Sequence, residues 1–123
     1  MCQAVGIDLV RVARIEEAVE KFRDRFLKRI FTERELIYCL PNAHKFEMLA
    51  GRFAAKEAAS KALGTGLVGV SWKDFEIVNL PSGKPELTLS GRARAKADEL
   101  GYHAWHVSIS HEKEYAVAVV TAG

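Results

Sequence analysis

The sequence predicts an α+β domain in which a small, largely antiparallel sheet packs against helices. Three observations carry that expectation. An apolar, β-compatible segment at the start runs directly into helical periodicity, and two later pairs of β-compatible segments each flank a polar turn. Between them lie stretches with apolar residues three and four apart. At 123 residues, 49% hydrophobic and 28% charged, the chain is expected to form one globular domain over residues 1–123.

Gln3 to Ile7 reads as the first strand, with Asp8 at its end. From Arg11 to about Lys28 the residues Val12, Ile15, Val19, Phe22 and Phe26 form one apolar stripe, predicting a single surface helix. Its polar side is sorted: Arg11, Arg14, Lys21, Arg25 and Lys28 share a sector of about 100°, and Glu16, Glu20 and Asp24 lie on another. Thr32 followed by Glu35 is a capping box that starts a short second helix, ended around Pro41. A third helix is expected from Asn42 or Ala43 to Leu63, stopped by Gly64. Phe75–Leu80 and Glu86–Ser90 predict a hairpin around Pro81-Ser82-Gly83. Ser90–Leu100 reads as a helix closed by Gly101. His103–Ser110 and Tyr115–Thr121 predict a second hairpin.

Bulk properties narrow the function classes. A net charge of +2 is too small to argue for nucleic acid, and the acidic sector of the first helix argues further against it. No run of about 18 apolar residues is present to span a membrane. The N-terminus lacks the charged and apolar regions of a secretory signal, so a cytoplasmic location is expected. Cys2 and Cys39 have no C-x-x-C spacing and read as free, reduced thiols.

Chemistry is suggested where charge interrupts the apolar pattern. The third helix carries Phe46, Leu49, Ala50 and Phe53 on one stripe, and Glu57 and then Lys61 continue it. A carboxylate there needs a partner, because burying one alone is very costly. One reading is an ordinary Glu57–Lys61 pair on a solvated helix. The other is a metal ligand beside an anion-facing lysine, with Arg52 and Lys56 on the adjacent face. Asp8 is equally either a helix cap or a ligand. Taken together, Asp8 and Glu57 match a hard-cation site of the Mg²⁺ type, in which one or two carboxylates hold the ion and substrate phosphates add oxygens. No His or Cys cluster has zinc spacing. The Gly64-Thr65-Gly66 loop could offer N–H groups to phosphate or serve only as a helix cap. Ser108, Ser110 and His111 are candidates to face a ligand at the second hairpin.

At these residues the sequence resembles the holo-acyl carrier protein synthases, the single-domain phosphopantetheinyl transferases. The blocks that carry the resemblance are Gly6-Ile7-Asp8 with Arg14, the segment Phe31 to Leu36, and above all Gly51-Arg52-Phe53-Ala54-Ala55-Lys56-Glu57-Ala58-Ala59-Ser60-Lys61-Ala62-Leu63-Gly64-Thr65-Gly66. Gly83-Lys84-Pro85 and His106 to His111 complete the series. The resemblance implies a phosphopantetheinyl transferase-like fold that trimerises, with coenzyme A between subunits. It implies transfer of the 4'-phosphopantetheine arm of coenzyme A to a serine of an acyl carrier protein, as in fatty acid biosynthesis. Asp8 and Glu57 would bind Mg²⁺, and Lys61 would lie beside the pyrophosphate and complete the catalytic set. Arg52, Lys56, Gly64, Thr65, Gly66, Ser110 and His111 are the candidates for holding coenzyme A. Arg11, Arg14, Lys21 and Arg25 would dock the acidic carrier. Glu57 and a metal-bound water are the candidates for taking the serine proton. The rival reading is a non-catalytic module that binds coenzyme A or a nucleotide.

Overall fold

The computed structural model describes residues 2–123. Its first strand, β1 (Ala4–Arg11), leads into α1 (Val12–Phe22), α2 (Asp24–Ile30), α3 (Glu33–Cys39) and the long α4 (Lys45–Leu63). After a 3-10 turn at Trp72–Asp74 come β2 (Phe75–Asn79) and β3 (Pro85–Leu89), then α5 (Gly91–Leu100), β4 (Trp105–His111) and β5 (Tyr115–Ala122). The α+β expectation holds, with two separate antiparallel sheets: β1-β5-β4, and the β2-β3 hairpin.

Register decides which residues meet. Asp8 pairs with Ala118, which pairs with Ile109, and Val10 pairs with Ala116, which pairs with His111. Residues opposite one another share a face. The inner face, which carries the buried Gly6, Val10, Ala116, Ala118 and Val120, lies on α4. The outer face carries Val5, Ile7 and Leu9, 62%, 58% and 63% exposed, alongside Val117, Val119, Ser108 and Ser110. Alternation along β1 therefore sends Asp8 inward and its neighbours outward.

α4 is the spine of the fold. It is buried almost continuously from Leu49 to Leu63, with only Glu57 half-buried and Lys61 exposed in that stretch. Its alanines let neighbours approach closely, and Gly64 ends it in the left-handed conformation at φ 87°. The helix starts at Lys45 rather than Asn42, because the Asn42 side chain accepts from His44 N–H at 2.8 Å and holds a turn there.

Two expectations about the first helix are corrected. The strand runs on through Asp8 to Arg11, so Arg11 belongs to β1, opposite Tyr115. The single helix to Lys28 is broken at Arg23, which sits at φ 48°, ψ −125° between α1 and α2. The period continues across the break, which is why the sequence hides it. That conformation strains any residue with a Cβ, so Arg23→Gly is expected to stabilise the fold by about 1 kcal/mol. Thermal unfolding tests this: the midpoint should rise by a few degrees, and a fall would mean that the break is held by the arginine side chain.

Candidate active site

Where β1 crosses α4, the acids foreseen in the sequence come together. Asp8 points inward from the strand, Glu57 and Lys61 face it from successive turns of the helix, and Lys61 Nζ donates to Asp8 Oδ1 at 3.2 Å and to the Ile7 carbonyl at 3.0 Å. Lys61 thus bonds to Asp8 across the seam. Burial pushes the Glu57 carboxyl above the usual carboxylate range, the negative charge of Asp8 adds to this, and Lys61 and Arg14 oppose it. The cluster is two carboxylates repelling one another, with the Lys61 ammonium bonded to one of them. Among the described residues no hydrogen bond reaches the Glu57 carboxylate, and no group of three or more His, Cys, Asp or Glu gathers to hold a metal. A small divalent cation that keeps several waters suits that donor set.

A second feature lies at the N-terminal half of α4. A cavity of about 400 Å³ is lined by Arg52, His111, Tyr38, His44, Asn79 and Pro85, among others. Arg52 is 5% exposed, stacks over the Tyr38 ring at 5.0 Å, bonds to Asn79 Oδ1, and keeps a buried Nε without a partner. Glu47 takes both histidines, His44 at 3.1 Å and His111 at 3.4 Å.

A third feature is a groove between α1, α2 and α4. Phe53 stacks on Trp72 with ring centres 4.8 Å apart, and Arg14 covers the Phe53 ring at 5.3 Å. Arg25 and Arg29 close its far side, and Lys21 and Arg25 lie over Phe22. Arg14, acting on Glu57, links this groove to the acid site.

Residues 4–120 match the family described as the 4'-phosphopantetheinyl transferase superfamily. The chain belongs to this superfamily. It is 49% identical to the holo-[acyl-carrier-protein] synthase of Gloeobacter violaceus, over 95% of this chain and 89% of that one. Identity to the Solidesulfovibrio magneticus synthase is 50%, covering 98% and 97%. Among solved structures it is similar to the Helicobacter pylori synthase in complex with coenzyme A, at 39% identity and TM-score 0.85, covering 97% of this chain and 99% of that one. The Neisseria meningitidis synthase gives TM-score 0.89 at 38% identity, covering 100% and 99%.

In this phosphopantetheinyl transferase the other foreseen site residues divide. Arg52 and His111 share the second cavity. Ser110 does not join them: it sits on the outer sheet face, and His111, one residue on, is on the inner face. Lys56 is 0% exposed and spends its ammonium on Glu35 Oε1 at 2.7 Å and on the carbonyls of Trp72 and Phe75. With three bonds made it has no donor left for a phosphate. Burial pulls its pKa down, and Glu35 pulls it back up. The N–H groups of Gly64 and Gly66 bond to the Ser60 carbonyl, so they close α4 rather than cradle an anion, and the Thr65 hydroxyl donates to Gly66 O. Arg29, His44, Tyr38 and Trp72 were not foreseen. Their spacing in the sequence is unremarkable: Tyr38 on α3 and His44 before α4 line the second cavity, and Arg29 on α2 and Trp72 line the third groove.

Proposed function

We propose that the chain transfers the 4'-phosphopantetheine group of coenzyme A to a serine hydroxyl of an acyl carrier protein. The single observation that carries this reading is the meeting of Asp8, Glu57 and Lys61 at the β1–α4 seam of a superfamily member. The serine oxygen forms a bond to the β-phosphorus as its proton passes to a base, for which the Glu57 carboxylate and water are the candidates. The bond from that phosphorus to the bridging oxygen breaks, and adenosine 3',5'-bisphosphate leaves.

Asp8 and Glu57 would hold Mg²⁺, whose chemistry is to neutralise charge building on the phosphate oxygens. Lys61, whose side chain is 51% exposed, is free to turn from Asp8 and donate to the leaving phosphate. Arg52, with its unpartnered Nε, and His111 form the proposed seat for the adenosine bisphosphate end. A homotrimer is proposed from the resemblance, and the apolar outer sheet face supports assembly in general, since exposed β-strand residues as large as Val5, Ile7 and Leu9 call for a covering surface. Ser110 lies on that face, so it reaches a bound coenzyme A only across a subunit boundary. Cytoplasmic residence fits the substrate. Among the described residues no helix is long and apolar enough to cross a membrane.

The carrier is proposed to dock in the groove of Arg14, Arg25 and Arg29, where positive charge surrounds an aromatic floor. Arg14→Glu is expected to raise the KM for carrier about tenfold at low ionic strength, with the difference shrinking as salt screens it. An unchanged carrier KM would remove α1 from the docking surface. The reading as a whole is tested by release of adenosine 3',5'-bisphosphate from coenzyme A. Release should require both apo-carrier and Mg²⁺, and release that ignores either would contradict it.

A further inference from the structure

Gly6 packs against the turn of α4 that carries the site. It is buried on the inner face of β1, two residues before Asp8. A Cβ placed there would lie 1.8 Å from the Ala58 carbonyl oxygen and 2.9 Å from Ala62 N, the two ends of one helical hydrogen bond. Ala58 follows Glu57 and Ala62 follows Lys61, so the strand touches the helix backbone beside both charged groups. Lys61 Nζ, bonded to the Ile7 carbonyl, crosses the same seam. The obstacle is backbone on a rigid helix and cannot swing aside as a side chain would.

We propose that Gly6 is a positioning residue that sets the gap between Asp8 on β1 and Glu57 on α4, and that this gap selects a small divalent cation. The proposal rests on the two-acid metal reading above. A methyl group at Gly6 must part strand and helix by more than about 1 Å, because real carbon contacts begin near 3.0 Å. Mg²⁺ demands oxygens at about 2.0–2.1 Å in a strict octahedron, and Ca²⁺ accepts about 2.3–2.6 Å with looser geometry. A wider gap therefore weakens Mg²⁺ more than Ca²⁺.

Calorimetric titration of Mg²⁺ and of Ca²⁺ into the full chain, saturated with coenzyme A, reads this directly. Gly6→Ala is expected to lose Mg²⁺ affinity tenfold or more and Ca²⁺ affinity less than threefold. Asp8→Glu in the Gly6→Ala background, which adds one methylene of reach, should recover part of the Mg²⁺ affinity. Gly51→Ala is the control: its Cβ meets the Ile109 side chain at 2.8 Å, toward β4, and should leave the Mg²⁺ to Ca²⁺ preference within twofold. Equal loss of both ions in Gly6→Ala, or the same preference shift in Gly51→Ala, would overturn the proposal. If circular dichroism shows Gly6→Ala unfolded, Asp8→Glu in the wild-type chain decides. The proposal expects at least a tenfold loss of Mg²⁺ there, and unchanged affinity overturns it. Failure of the wild-type chain to bind Mg²⁺ at all would sink the metal reading and this proposal with it. Wild-type binding that Gly6→Ala matches would sink the proposal alone.

Discussion

Glu57→Gln should leave the chain folded and cut Mg²⁺-dependent transfer by about a thousandfold. The amide keeps the shape and removes the charge that holds the cation, and loss of several kcal/mol of transition-state stabilisation is a factor of that order. The same change should make the free protein slightly more stable at neutral pH. Burial and Asp8 raise the Glu57 pKa, so carrying its charge costs stability at any pH above its unfolded value of about 4.3. That cost is full above the raised folded value, shrinks as the pH falls below it and is gone below the unfolded value, so the advantage of glutamine should fade on acidification. Thermal melts of both proteins at pH 7 and pH 4, beside transfer rates, check both halves. Full activity in the variant would remove Glu57 from the metal site.

Lys56→Met should destabilise the fold by about 3–5 kcal/mol, because it strands the Glu35 carboxylate in the core. On a chain of this size that lowers the melting midpoint by roughly 10–20 °C. Glu35 is more than the partner of Lys56. It closes the capping box by accepting from Thr32 N–H at 2.9 Å, and it takes the Ile77 N–H at 2.9 Å, so it ties α3, α4 and β2 at one point. Adding Glu35→Gln to Lys56→Met should recover a good part of the loss, since the buried charge is gone and an acceptor remains. A midpoint unchanged in Lys56→Met would show that the pair is not the tie it resembles.

These two residues mark what the sequence made legible. Glu57 was legible because a carboxylate continued an apolar stripe, and Asp8 because an acid stood where strand gave way to helix. Both signals were local, and the fold brought them together. Lys56, one residue earlier, carries the opposite charge, and its place on the adjacent face of the helix reads as a seat for coenzyme A. Its burial is decided by Glu35, 21 positions away, whose capping box is visible in sequence but whose second bond is not. The break at Arg23 was hidden for a related reason: apolar periodicity runs through it, and only a positive φ records it. Ser110 and His111 were grouped by adjacency, yet neighbours on a strand face opposite ways, and register alone assigns their sides.

The measurement closest to the central claim is the intact mass of an apo-acyl carrier protein after incubation with the purified chain and coenzyme A, in Mg²⁺ and in EDTA. The account predicts a gain of one phosphopantetheine with Mg²⁺ and none in EDTA. No gain with any of several carriers, from a chain that still binds coenzyme A, would contradict it and leave a binding module in place of an enzyme.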